Sequence, residues 1–250
     1  MRGLWGRGRA VQEGCTALPQ IFRPSANAIA KASVIGCLGG VVVFTAMATT
    51  IDFSPYVWNQ GVVRDQPVPF SHEHHVHDLG IDCRYCHTSV TDSTFAGLPA
   101  TKTCMTCHSR IWTDAALLEP VRKSWSDEIP LKWTRVHNLP DFVYFPHDIH
   151  INKGIACVTC HSRVDQMPLM FQAASLQMGW CLDCHRSPQK YLRPRDQVFN
   201  MEFTIDDEVK RTYSRPGHAV VDQDSLGRAL IELYHVPTDG RITNCYTCHR

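Results

Sequence analysis

Phe70-Ser71-His72-Glu73-His74-His75-Val76-His77-Asp78-Leu79-Gly80-Ile81-Asp82-Cys83-Arg84-Tyr85-Cys86-His87 decides how this chain is read, because it ends on Cys-x-x-Cys-His. The same ending recurs at Cys104-Cys107-His108, Cys157-Cys160-His161, Cys181-Cys184-His185 and Cys245-Cys248-His249. The composition of the chain predicts roughly 0.03 copies by chance. Ten of the twelve cysteines fall in this one pattern, which a disulfide framework does not require.

The spacing has a chemical reason. Two cysteines separated by two residues lie on one side of a helical turn, where both sulfurs reach the vinyl groups on one edge of a haem. The next residue then sits under the ring and its imidazole binds the iron. The motif therefore reads as c-type haem attachment, with His87, His108, His161, His185 and His249 as proximal ligands. Zinc is the rival, but structural zinc sites join paired knuckles, and five is an odd number. A thioredoxin-like redox motif needs a βαβ context that the sequence does not show.

Five irons call for five sixth ligands unless one site stays open. Nine histidines lie outside the motifs, at 72, 74, 75, 77, 137, 147, 150, 218 and 235. Phe70-Ser71-His72-Glu73-His74-His75 is matched by Phe145-Pro146-His147-Asp148-Ile149-His150, and each precedes a haem motif that a second motif soon follows. The chain thus holds two di-haem units and a fifth haem near its end. His72, His75, His147 and His150 are the expected distal ligands. Spaced three apart, the members of each pair share a helical face but point to different places, so one serves the nearby haem and the other a neighbour. His137 and Met178 are the further axial candidates, followed by Met167. His74 and His77 read as solvated, and His218 and His235 as weaker candidates.

Residues 33–51 carry no charge and are long enough to span ~30 Å of hydrocarbon as a helix. Arg2, Arg7, Arg9, Arg23 and Lys31 precede the run and Asp52 follows it. The positive-inside rule then predicts a cytoplasmic segment at 1–31, a transmembrane helix at 32–52, a linker at 53–69 and an extracytoplasmic pentahaem domain at 70–250. Ala46-Met47-Ala48 resembles a signal cleavage site, but the stretch before the apolar run is long for a signal peptide. Cys37 reads as a small apolar residue and Cys15 as a cytoplasmic thiol.

The expected fold is mainly α with extensive loops, wrapped around a haem stack, with one N-terminal transmembrane helix. About 37 residues are available per haem, so the porphyrins must supply much of the apolar interior. Residues 222–235 predict one amphipathic helix, with Leu226, Ala229, Leu230 and Leu233 inward and Asp224 or Ser225 as cap. Net charge is +1, which implies no polyanion partner.

The Phe-x-His-x-x-His pattern ahead of a haem motif resembles the class III, cytochrome c3-like multihaem family. There the first His ligates the haem of the next motif and the second reaches another haem. Gln66-Pro67-Val68-Pro69-Phe70-Ser71-His72 and Asp82-Cys83-Arg84-Tyr85-Cys86-His87 also resemble the pentahaem cytochrome subunit of alternative complex III. So do Leu139-Pro140-Asp141-Phe142-Val143-Tyr144-Phe145 and Met178-Gly179-Trp180-Cys181-Leu182-Asp183-Cys184-His185-Arg186. The resemblance covers residues 20–200 and weakens around the fifth haem. It implies a non-catalytic electron-transfer subunit at the periplasmic face of the cytoplasmic membrane. It further implies polytopic quinol-oxidising partners, an iron–sulfur subunit resembling molybdopterin oxidoreductases and a monohaem cytochrome. Soluble cytochrome c or a terminal oxidase would accept the electrons. Multihaem nitrite reductases use Lys at the active haem, and no Cys-x-x-Cys-Lys occurs here. A single-span quinol dehydrogenase is the other alternative.

Overall fold

The computed structural model describes residues 21–249. The chain divides after Phe53 into two units. Residues 1–20 of the expected cytoplasmic segment, Cys15 among them, lie outside the described residues.

Among the described residues the first unit holds one helix, α1, Ser25–Asp52, of 28 residues. At 1.5 Å per residue it is about 42 Å long, more than the ~30 Å of a bilayer core. It starts upstream of residue 32 because Ala26, Ala28 and Ala30 favour helix and extend it beyond the apolar run. Val41, Val42, Val43 and Phe44 point to all sides of the helix and are all exposed. Thr45, Thr49 and Thr50 donate their hydroxyls to carbonyls one turn back, at 2.8–3.0 Å. None of these threonine donors is left bare, which suits a helix surrounded by lipid.

The second unit is built from short helices and loops. In chain order they are α2 (Pro55–Trp58), a π-turn (Glu73–Asp78), α3 (Cys83–Cys86), α4 (Thr101–His108), α5 (Glu119–Ser126) and α6 (His147–Asn152). Then come α7 (Cys157–His161), α8 (Met178–Arg186), α9 (Asp207–Tyr213), α10 (Gln223–Tyr234) and α11 (Cys245–Cys248). Among the described residues no strand forms, and pairing is limited to isolated bridges. Two of these, Gln60 with Gln172 and Val63 with Phe171, fasten the 53–69 stretch to the rest of the unit.

The internal repeat is visible as structure. The first and third motifs sit on single-turn helices, α3 and α7, and the second and fourth on the longer α4 and α8. One residue more separates His75 from Cys83 than separates His150 from Cys157. The π-turn absorbs that extra residue, whereas the shorter segment is an ordinary helix, α6. After each, a glycine turns with positive φ (Gly80 at 66°, Gly154 at 86°) and the next amide donates back to the histidine carbonyl.

Side-chain cores are small. The largest gathers Leu192, Val220, Leu226, Leu230 and Tyr234. Leu226, Leu230 and Tyr234 lie four apart on α10 and define its inward face. Leu233, expected inside, is exposed. Helix α10 begins at Gln223, so its cap is Asp222 rather than Asp224 or Ser225, and Ser225 completes a capping box with it. Two further clusters gather Val68, Leu118 and Val121, and Val90, Ile151 and Val198.

Candidate functional site

Each copy of the internal repeat has the same ring geometry. Phe70 stacks on His75 with ring centres 4.4 Å apart and meets His72 edge-on at 4.9 Å. Phe145 stacks on His150 at 4.4 Å and meets His147 edge-on at 4.8 Å. One aromatic ring therefore sets the angle between two histidines in both units.

Seven motif and distal histidines are anchored through Nδ1 to a backbone carbonyl. His87 reaches Gly97 at 2.7 Å, His75 reaches Ser71 at 2.8 Å and His150 reaches Pro146 at 2.8 Å. His147 reaches Thr94 at 3.0 Å, His249 reaches Phe142 at 3.2 Å and His108 reaches Ile111 at 3.4 Å. His185 is bonded in the same way to Ile242. A carbonyl only accepts, so Nδ1 carries the hydrogen and the Nε2 lone pair is left for a metal.

The distal and proximal rings meet across a gap of one size. His75 and His108 have ring centres 6.3 Å apart, and His150 and His185 have centres 6.2 Å apart. Two metal–nitrogen bonds of about 2.0 Å plus half of each ring add up to roughly 6 Å. The residues present thus fit a bis-imidazole iron at the second and fourth motifs. Among the described residues no three His, Cys, Asp or Glu converge on a bare ion, whereas zinc knuckles need four converging ligands.

Burial keeps these imidazoles neutral. It lowers His161 to about 3, with His137 and His147 adding to the effect, and lowers His72 to about 4, with His87 adding. His75 and His150 are lowered in the same direction by burial. A neutral imidazole is the ligand form. Nδ1 of His72 and of His161 is buried without a partner, a cost of about 1–3 kcal/mol each that the ring positions impose.

The motif cysteines are shielded from solvent to different degrees. Burial raises the Cys157 thiol to about 12, with Cys83 next in effect, and raises Cys160 to about 12, with Cys184 next. Burial raises Cys86 beside Cys104, and Cys181 beside Cys248.

His137 packs against His161 with centres 4.2 Å apart, and burial lowers it to about 4. Its Nε2 is buried and unpartnered. Met178 opens α8 and is exposed, and Met167 is buried in the interior. His74, expected to be solvated, is half-buried and stacks on Trp112 with ring centres 5.4 Å apart. His77 is exposed. His218 forms a bridge with Arg215, and His235 closes α10 in the left-handed region.

No family model matches the chain. The chain is similar to the multihaem cytochrome c subunit of the menaquinone reductase of Nitratidesulfovibrio vulgaris (Hildenborough), 32% identical over 131 residues. The match takes in 50% of this chain and 60% of that protein's length. Together with the repeated motifs it supports a multihaem c-type cytochrome. The carbonyls of Gly97, Thr94, Ser71, Pro146, Phe142 and Ile242 escape sequence reasoning, since any residue carries one. Phe70 and Phe145 were visible as the first letter of the repeated pattern, although their stacking role was not.

Proposed function

We propose that this cytochrome is a five-haem electron-transfer subunit of a quinone-linked membrane oxidoreductase complex. Cys83, Cys86, Cys104, Cys107, Cys157, Cys160, Cys181, Cys184, Cys245 and Cys248 attach the haems. His87, His108, His161, His185 and His249 hold the irons from the proximal side. The observation that carries the reading is the opposition of His75 to His108 and of His150 to His185 at one iron's width.

By the repeat, His72 completes the first site, His75 the second, His147 the third and His150 the fourth. His137 and Met178 are the candidates for the fifth. Bound haem supplies one-electron exchange at iron. The chain's residues position and insulate it. Carbonyl-anchored imidazoles hold their rings in a fixed orientation, and two ligands per iron leave no place for substrate. Helix α1 anchors the chain in the membrane, and the bases ahead of it favour the haem region lying outside the cytoplasm.

The assembly we favour is alternative complex III or a close relative of it. Polytopic subunits would handle the quinone, an iron–sulfur subunit and a monohaem cytochrome would be neighbours, and a soluble cytochrome c or an oxidase would take the electrons. The relative named above belongs to a menaquinone reductase, which favours a second reading in which electrons run toward the quinone. This chain has the same task in both.

Carbon monoxide added to the reduced holoprotein tests the proposal. Spectra left unchanged by the gas are expected of irons with two protein ligands. Rapid formation of a carbonyl adduct would favour a reductase with an open haem instead.

A further inference from the structure

Five haems attached in chain order need not conduct in chain order, and the contacts between motifs give a different sequence. This inference rests on the five-haem reading above. We infer that the two di-haem units are joined head to head through their first motifs, so that electrons pass along second, first, third, fourth and fifth motif.

The first and second motifs touch directly. Tyr85, inside the first, and Thr106, inside the second, are hydrogen-bonded at 2.8 Å. The first motif is also linked to the third. The loop that follows the first motif accepts from the segment that opens the second unit. Thr94 accepts from both the backbone amide and Nδ1 of His147, at 3.1 and 3.0 Å, and Thr91 accepts from Asn152 at 2.9 Å. Val90, Ile151 and Val198 make one buried cluster there, with Cys157 packed against it. The Arg84 guanidinium lies 4.7 Å from the ring centre of Phe199, and the Cys157 amide donates to Val198.

The third and fourth motifs are joined as the first and second are, through a distal histidine pair, His147 and His150, of which His150 faces His185. The fourth is joined to the fifth by the bond from His185 to Ile242, three residues before Cys245, and by α8 packing on the turn at Arg241–Thr243. The contact between the two units is reciprocal: as His147 of the second unit donates to Thr94 beyond the first motif, the amide of Glu73 in the first unit donates to the carbonyl of Met167 beyond the third motif, at 3.2 Å.

Each unit's histidine segment thus donates to the stretch that follows the other unit's first motif. Such an exchange of equivalent contacts is that of a two-fold axis and not of a tandem array. The repeat is therefore folded on itself about a local dyad between the first and third motifs. Exposure agrees with that order. Among the described motif cysteines only Cys107 and Cys245 are exposed, one in each motif at an end of the row. Each step moves one electron from a ferrous iron to the ferric iron beside it, with no bond made or broken and no proton required. Exchange with partners falls to the second and fifth haems.

Iron-edge anomalous diffraction from the holoprotein tests the order without altering a residue. The expected result is five irons in a row, with the second-motif iron at one end and the first- and third-motif irons adjacent. A second-motif iron beside the third-motif iron overturns the order alone. Fewer than five irons overturns the five-haem reading and the order with it. A kinetic test uses the holoprotein carrying a ruthenium photosensitiser on Arg110→Cys, an exposed position just past the second motif. Adding His72→Met raises the first haem's potential and holds the electron there. Arrival at the fourth haem should slow by about tenfold for each rise of about 59 mV at the first. An unchanged arrival rate means the first haem is not on the path and sinks the order.

Discussion

His75 and His108 face each other with ring centres 6.3 Å apart, and Nδ1 of each is tied to a carbonyl of its own segment, Ser71 or Ile111. Both Nε2 lone pairs are thereby left free. On the five-haem reading proposed above, removing either ring would leave an iron with one protein ligand.

His75→Ala is therefore expected to open one iron. Titration of the reduced variant with carbon monoxide should bring one haem per chain into the adduct, against none in the parent. His75→Met should keep the iron closed and raise its potential, because thioether sulfur favours the ferrous state. A His75→Ala protein as inert to the gas as its parent removes His75 from the ligand set.

Gly80 and Gly154 separate backbone strain from crowding. Both have positive φ, but a methyl at Gly80 meets open space whereas one at Gly154 runs into the Arg193 carbonyl and the Tyr234 ring. Gly80→Ala should cost about 1–2 kcal/mol, the left-handed penalty alone. Gly154→Ala should cost clearly more, read as the difference in urea midpoint. Equal losses would mean that the Arg193 contact yields freely.

Acid should weaken the folded chain over a defined range. Burial holds His72, His137 and His161 below the value of about 6.5 of the unfolded chain, and iron on a ring nitrogen would shift it in the same direction. The unfolded chain then takes up protons first, so stability is complete above about 6.5 and declines as pH falls toward 4. Denaturation midpoints at several pH values, read with the low-spin haem bands, should fall together across that interval. Midpoints that stay flat down to pH of about 4.5 would contradict the buried, neutral state of these rings.

Leu230 is fully buried at the centre of the largest side-chain cluster. Leu230→Ala should cost about 3 kcal/mol. In a domain of this size that is a drop of roughly 6–12 °C in Tm. Calorimetry of the holoprotein reads it directly, and a loss below about 1 kcal/mol would show that the haem-free part of the fold contributes little to cooperativity.

The sequence made the candidate covalent chemistry legible because Cys-x-x-Cys-His puts two sulfurs and one imidazole within five adjacent letters. It also showed the repeat at His72, His75, His147 and His150, since spacing survives in one dimension. It showed the apolar helix and the amphipathic helix near 222–235, with the cap misplaced by two or three residues because Ser225 resembles a cap from its own sequence. What stayed hidden depends on the third dimension. The carbonyls that orient the rings have no side-chain signature. Which ring faces which depends on loop paths, and so does the exchange of hydrogen bonds between Thr94 and His147 and between Met167 and Glu73.

The modest protein cores have a consequence for biogenesis. Val68, Leu118 and Val121 form one tiny cluster and Val90, Ile151 and Val198 another, so the motif-bearing loops have little to close upon before porphyrin arrives. Cofactor attachment would then precede compaction, and a cell starved of iron would be left with an open polypeptide that proteases clear.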